Sequence, residues 1–150
     1  MGETINMKKF LPALFIILTS CTITQTVDKV KISTVAKQSN ICVINHPSTR
    51  DSFQTSLTRA IKRKGYKTEV VNQVQDFNCP MYVTYVGKWS WDLTTYMSYA
   101  DIKVFDGSNQ QLGHAHYDAT SKFLVGFSKF INADDKINEL VDELFSSKGD

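Results

Sequence analysis

Residues 40–71 hold a strand-length apolar run, an amphipathic run long enough for a helix, and a second strand-length run, with turn residues between them. No other stretch constrains the fold as tightly. "NICVIN" (40–45) is short, apolar and β-branched, the pattern of a buried strand. Pro47 breaks the chain, Ser48 and Thr49 offer N-cap hydroxyls, and Asp51 is placed to complete a start resembling a capping box. The next residues put Phe53, Leu57, Ala60 and Ile61 on one helical face. Gly65 is suited to end that helix, and Arg59, Lys62, Arg63 and Lys64 crowd its last turns, where the helix dipole favours cations. "YKTEVV" (66–71) then reads as a strand. Strand, helix and strand at this spacing predict a right-handed βαβ unit with its two strands parallel.

The pattern then changes to long alternating strands. In "MYVTYVGKWSW" (81–91) the odd positions, Met81, Val83, Tyr85, Gly87, Trp89 and Trp91, are assigned to the core. In "TTYMSYADIKVF" (94–105) the core set is Tyr96, Ala100, Ile102 and Val104. Asp106-Gly107-Ser108-Asn109 is a hairpin turn leading to "QLGHAHYDAT" (111–120), with Gly113, Ala115, Tyr117 and Ala119 facing inward. Residues 123–131 are apolar but irregular and suggest a covering loop. Residues 132–145 close the chain as a helix that buries Ile137, Leu140, Val141, Leu144 and Phe145. Its outer side is acidic where the first helix is basic, so the two can pack side by side with matched charge. The predicted fold is α/β (α+β): a two-layer sandwich with an about five-stranded mixed sheet, two helices on one face, and β-α-β-β-β-α order.

Cys42 lies in the first of these strands and Cys79 just before the third. If those strands are parallel neighbours, both cysteines lie at one end of the sheet and can form a disulfide. The bond closes a loop of about 38 residues, worth roughly 3–4 kcal/mol in the chain-entropy treatment. It requires an oxidising compartment, and the N-terminus points to one.

From Met7, Lys8 and Lys9 precede an apolar run and then Leu18-Thr19-Ser20-Cys21. Charge, short apolar segment and small-residue exit describe a secretory signal. The apolar part spans about nine residues, far short of the roughly 20 needed to cross a bilayer. Glu3, upstream of the lysines, is foreign to such a signal and suggests Met7 as the true start. Leu18 to Cys21 resembles the lipobox of bacterial lipoproteins. That resemblance implies cleavage before Cys21 and acylation of Cys21, with several chains giving stable anchoring. Thr22, where Asp would retain an enterobacterial lipoprotein at the inner membrane, implies the outer membrane. The expected organisation is a signal peptide over 1–20, the lipidated cysteine and a flexible tether over 21–29, and a single domain over 30–150. By the same resemblance, the expected location is the outer membrane, lipid-anchored on its periplasmic side.

The formal net charge is +2 with 17 basic and 15 acidic residues, so no nucleic-acid footprint is present. Hydrophobic residues make up 42% of the chain, enough for a core in one domain. Catalytic motifs are absent: no G-x-S-x-G elbow, H-E-x-x-H or Gly-rich phosphate loop occurs. His114, His116 and Asp118 alternate along one strand face, a spacing metal sites can use. His46, the remaining histidine, is distant in sequence, and a polar sheet face is the favoured reading, with no metal and no cofactor.

"KWSWDLTTYMSY" (88–99) is dense in aromatics. Trp89, Trp91 and Tyr96 are assigned to the core. Val86, Phe105, Leu112 and Lys103 fall on the other sheet face with the candidate binding residues Tyr82, Lys88, Met97, Tyr99, Asp101, His114 and His116. So much apolar area on an uncovered face calls for a partner, here an envelope protein or glycan.

With "ICVIN", "KGYKTEVV", "YVGKWSWD", "GHAHYDA" and "KFINADDKINELVDELF", the chain resembles a family of small, uncharacterised proteobacterial outer-membrane lipoproteins. Its architecture also resembles that of periplasmic lipoproteins assisting outer-membrane assembly. The resemblance implies a non-enzymatic binding or accessory module and brings no catalytic residues. The alternatives are an envelope-acting enzyme, metal-dependent through His114 and His116, or a surface-exclusion lipoprotein of a mobile element.

Overall fold

The computed structural model describes residues 23–31, 39–73, 79–120 and 130–146. Its strands are β1 (Thr24–Asp28), β2 (Asn40–Ile44), β3 (Lys67–Val71), β4 (Met81–Asp92), β5 (Thr94–Asp106) and β6 (Gln111–Asp118). Helix α1 (Asp51–Arg63) follows β2, and α2 (Ala133–Leu144) closes the chain. The strands form one mixed sheet in the order β1-β6-β5-β4-β2-β3. Strand β2 is parallel to both β3 and β4, and the other pairs are antiparallel. The α+β class, the βαβ unit and the two-helix layer are as the sequence predicts, with six strands rather than about five.

The additional strand comes from the expected tether. "TQTVD" is polar and Thr-rich, yet it pairs along its whole length with β6, Thr24 opposite Asp118 and Asp28 opposite His114. An edge strand needs only a ladder partner and a few apolar contacts, here from Ile23, Val27 and Val30. The domain therefore begins before residue 30. Cys21, Thr22 and the signal segment lie outside the described residues, as does most of the expected covering loop.

The main core lies between sheet and helices. Phe53, Leu57, Ala60 and Ile61 of α1 and Ile137, Leu140, Val141 and Leu144 of α2 meet Ile41, Val43, Val83, Ile102, Val104, Ala115 and Tyr117 of the sheet. The helices are bridged by Arg59–Asp134 at 3.2 Å and Lys64–Asp142 at 3.5 Å, the matched charge read from the sequence. Thr49 does not cap α1. It is buried, its Oγ1 accepts from Gly87 N at 3.3 Å, and it lies 3.0 Å from His46 Nδ1. Gly65, with φ of +91°, follows α1 in the left-handed region that glycine enters without strain.

Two irregularities change which side chains face the core. The β4–β5 register shifts after Lys88, where Lys88 opposes Tyr99 and Trp89 opposes Met97, so Ser98 is the additional residue. Such a bulge reverses the alternation beyond it. The β5–β6 register shifts between Val104 and Phe105, leaving Leu112 unpaired. Beyond the Tyr99–Asp118 pair, β4 and β5 pair only with each other among the described strands. Trp91 lies on that two-stranded ribbon and is 76% exposed, so it does not fill the core.

Candidate functional site

The sheet face turned away from the helices is divided between two environments. At one end a small second core forms around the Cys42–Cys79 disulfide, whose Cα atoms are 5.9 Å apart. Its geometry follows from β2 and β4 being parallel neighbours, with Cys42 opposite Tyr82. Tyr82 stacks on Phe105 with centroids 5.0 Å apart, and its hydroxyl donates to Asn109 Oδ1 at 2.6 Å. It is 7% exposed. Tyr82 thus shields the disulfide and anchors the β5–β6 hairpin, instead of facing a partner.

Farther along the face, β5 and β6 bring a polar cluster together. His114 and His116 are two residues apart on β6 and project to the same side. Asp101 on β5 stands directly opposite His116. Asp101 Oδ1 lies 2.6 Å from His114 Nε2 and 3.3 Å from His116 Nδ1, while Lys103 Nζ lies 3.2 Å from Oδ2. The His116 ring meets Tyr99 edge-on at 5.2 Å, and Lys88 Nζ sits 5.1 Å from the centre of the Tyr99 ring. Asp101, His114 and His116 are partly buried, and each keeps some contact with solvent.

The electrostatics follow from these contacts. Burial pushes the Asp101 carboxyl up, but hydrogen bonds from His114, Lys103 and His116 outweigh it and hold the carboxyl below the usual range. Hydrogen bonds from Thr120 lower Asp118. Burial, and then the Asp101 charge, raise the Tyr99 hydroxyl, which stays protonated at neutral pH.

Of the residues assigned to this face, the structure assembles Lys88, Tyr99, Asp101, His114 and His116. Met97 is not among them: the bulge at Ser98 turns it inward, where it is 2% exposed in the main core. Leu112, at the second bulge, also packs against that core. The acid joining the two histidines is Asp101, not Asp118, because the cross-strand register outranks proximity in sequence. Sequence reasoning placed Lys103 on the face without a partner, and the register supplies Asp101. His46 stays apart in the loop before α1, with Tyr85 Oη accepting from its backbone N–H at 3.3 Å.

A shallow groove of about 360 Å³ lies between the β4–β5 ribbon and the start of α2, with the Arg50 guanidinium 4.7 Å over Trp89. Among the described residues, no helix is long and apolar enough to cross a membrane.

No known protein family and no curated protein matches the chain. Solved structures do resemble it in fold. The PelC dodecamer from Paraburkholderia phytofirmans superposes with a TM-score of 0.59 at 12% identity, covering 82% of this chain and 99% of that one. A single-residue variant of that dodecamer gives 0.58 at 14% identity, covering 85% and 100%. TolB from Acinetobacter baumannii gives 0.47 at 13% identity, covering 80% of this chain and 30% of TolB. At these identities the PelC likeness is one of fold: the chain shares its layered α+β architecture over nearly the whole PelC length.

Proposed function

We propose that the chain is a lipid-anchored, non-enzymatic binding or accessory module of the bacterial cell envelope. It is held at the outer membrane through Cys21, on the periplasmic side, and docks an envelope protein on its open sheet face. The observation that carries this reading is the pairing of two features of export. A lipobox-like Leu18 to Cys21 precedes a domain cross-linked between Cys42 and Cys79, and such bonds persist in oxidising compartments. The docking face carries Tyr99, with Lys88 above the ring and His116 at its edge. A rigid aromatic flanked by polar groups is what interface hot spots use.

The test is chemical crosslinking of the full-length protein in intact cells, followed by purification in mild detergent, with Cys21→Ser and Tyr99→Ala in parallel. One envelope protein, enriched in the wild type and lost in both variants, is expected. An unaltered mass at Cys21 in purified protein would remove the anchor. Retention of the same partner by Tyr99→Ala would remove the docking face. A ladder of the chain itself would point instead to self-assembly, as in the PelC dodecamer of similar fold.

A further inference from the structure

The geometry points to a divalent transition-metal site on the open sheet face, with Asp101, His114 and His116 as its ligands and ions of the zinc, cobalt and nickel group as its occupants. This goes beyond the docking role and stands whether or not a partner covers the face.

Two imidazole nitrogens and one carboxylate oxygen form a donor set suited to borderline cations, whereas calcium and magnesium favour sets made of oxygen. One potential ligand atom from each residue lies within 4.8 Å of the other two. Zinc bound at about 2.0–2.2 Å in a tetrahedron separates its ligand atoms by about 3.3 Å. Asp101 and His116 already stand at 3.3 Å, and Asp101 and His114 at 2.6 Å. An ion replacing the hydrogen-bonding protons therefore requires the Asp101–His114 contact to open by less than an ångström, and the two imidazole nitrogens, which lie within 4.8 Å of each other, to take up the same spacing.

The frame around the trio is rigid. Strand β6 is hydrogen-bonded on both sides, to β1 and to β5, which fixes the spacing of His114, His116 and Asp101. Tyr99 holds the edge of the His116 ring. Lys103 binds the other oxygen of Asp101, so it can orient the carboxylate while leaving Oδ1 to the ion. Two further acids offset the charges of Lys103 and Lys88. Asp28 stands opposite His114 on β1, and Asp118 follows His116 by two residues on the same face. Three protein ligands leave a coordination position for water or for a donor atom of a docked molecule.

The experiment uses the full-length protein in detergent, without an oligohistidine tag, chelator-treated and exchanged into chelator-free buffer. Zinc chloride is titrated by calorimetry, and cobalt chloride by visible absorption. One ion per chain is expected, with a visible cobalt band. His114→Ala and His116→Ala should each weaken binding at least about tenfold, and His46→Ala should leave it unchanged. In wild-type protein, proton NMR should show zinc moving the ring signals of His114 and His116 while those of His46 stay in place, a readout independent of how the variants fold. No uptake by the wild type, equal uptake by the His114→Ala/His116→Ala double variant, or movement of the His46 signals alone would overturn the site.

Discussion

A Cβ built on Gly87 would lie 2.6 Å from Cδ2 of Phe53, so β4 and α1 reach their observed separation because residue 87 has no side chain. Phe53 has little room to yield. Its ring stacks on Tyr85 with centroids 5.3 Å apart and meets Trp89 edge-on at 6.2 Å. Overpacking of this kind costs about 1–3 kcal/mol. Gly87→Ala is therefore expected to lower the unfolding free energy by that amount, read as a lower urea midpoint, while leaving the far-UV spectrum native. An unchanged midpoint would mean that the helix slides over the sheet at little cost.

Lys136 is a buried cation, 6% exposed, with its ammonium 2.7 Å from Glu139 Oε2 and 3.1 Å from Gln25 Oε1. Gln25 in turn donates to Glu139 and Glu143, so this network ties β1 to α2. The ammonium also lies 5.2 Å from the centre of the Tyr117 ring. Long cationic side chains stabilise through their stems as well as their charge. Lys136→Met keeps the stem and leaves no buried charge behind, because Glu139 is well exposed. We expect it to cost less than about 1 kcal/mol, and Lys136→Ala to cost about 2 kcal/mol or more through the cavity it opens. Equal losses in urea titrations would assign the effect to charge instead.

The same pair sets a pH dependence. The hydrogen bond from Lys136 outweighs burial and lowers the Glu139 carboxyl below its ordinary value of 4.5. A carboxyl lowered on folding binds protons more weakly in the native chain than in the unfolded one. Its contribution is complete above the unfolded value and disappears as the pH falls through the folded one. Asp101 and Asp118, also lowered, act in the same direction. Thermal midpoints should thus hold near neutrality and decline below about pH 5, with Lys136→Met showing a shallower decline. Parallel curves for the two proteins would show that Glu139 gains nothing from Lys136.

The disulfide joins residues 37 apart and also forms the floor of the second core under Tyr82. Loop entropy alone assigns it about 3–4 kcal/mol. Cys42→Ala with Cys79→Ala is expected to lose at least that much and to loosen the Tyr82–Phe105 stack, visible in the near-UV spectrum. If reductant left the urea midpoint of the wild type in place, the bond would contribute nothing to folding.

The helices and the βαβ unit were legible because their apolar residues recur at helical spacing or in short β-branched runs, and the turn residues between them are unambiguous. The bulges were not. An alternating strand reads the same with or without an additional residue, yet Ser98 turns Met97 into the core and Leu112 leaves the polar face. Both exceptions follow from the cross-strand register, which no single strand encodes. The same limit separated the histidines from their acid: Asp118 is near in sequence, whereas Asp101 is near through the β5–β6 ladder. Strand β1 escaped notice because an edge strand with few apolar contacts has the composition of a linker.

The helix pair offers a choice between charge and apolar packing. Arg59–Asp134 and Lys64–Asp142 join a basic helix to an acidic one, but each pair keeps one side chain at least half exposed, so water screens it. Exposed pairs contribute about 0–1 kcal/mol each and weaken with salt. Beneath them, Leu57 and Leu140 are fully buried, and truncating such a side chain costs about 2–5 kcal/mol. Arg59→Gln with Lys64→Gln should therefore shift the urea midpoint little and reduce its salt dependence, while Leu57→Ala or Leu140→Ala should shift it strongly at any salt concentration. The reverse order would mean that matched charge, rather than the buried stripe, holds the helical layer on the sheet.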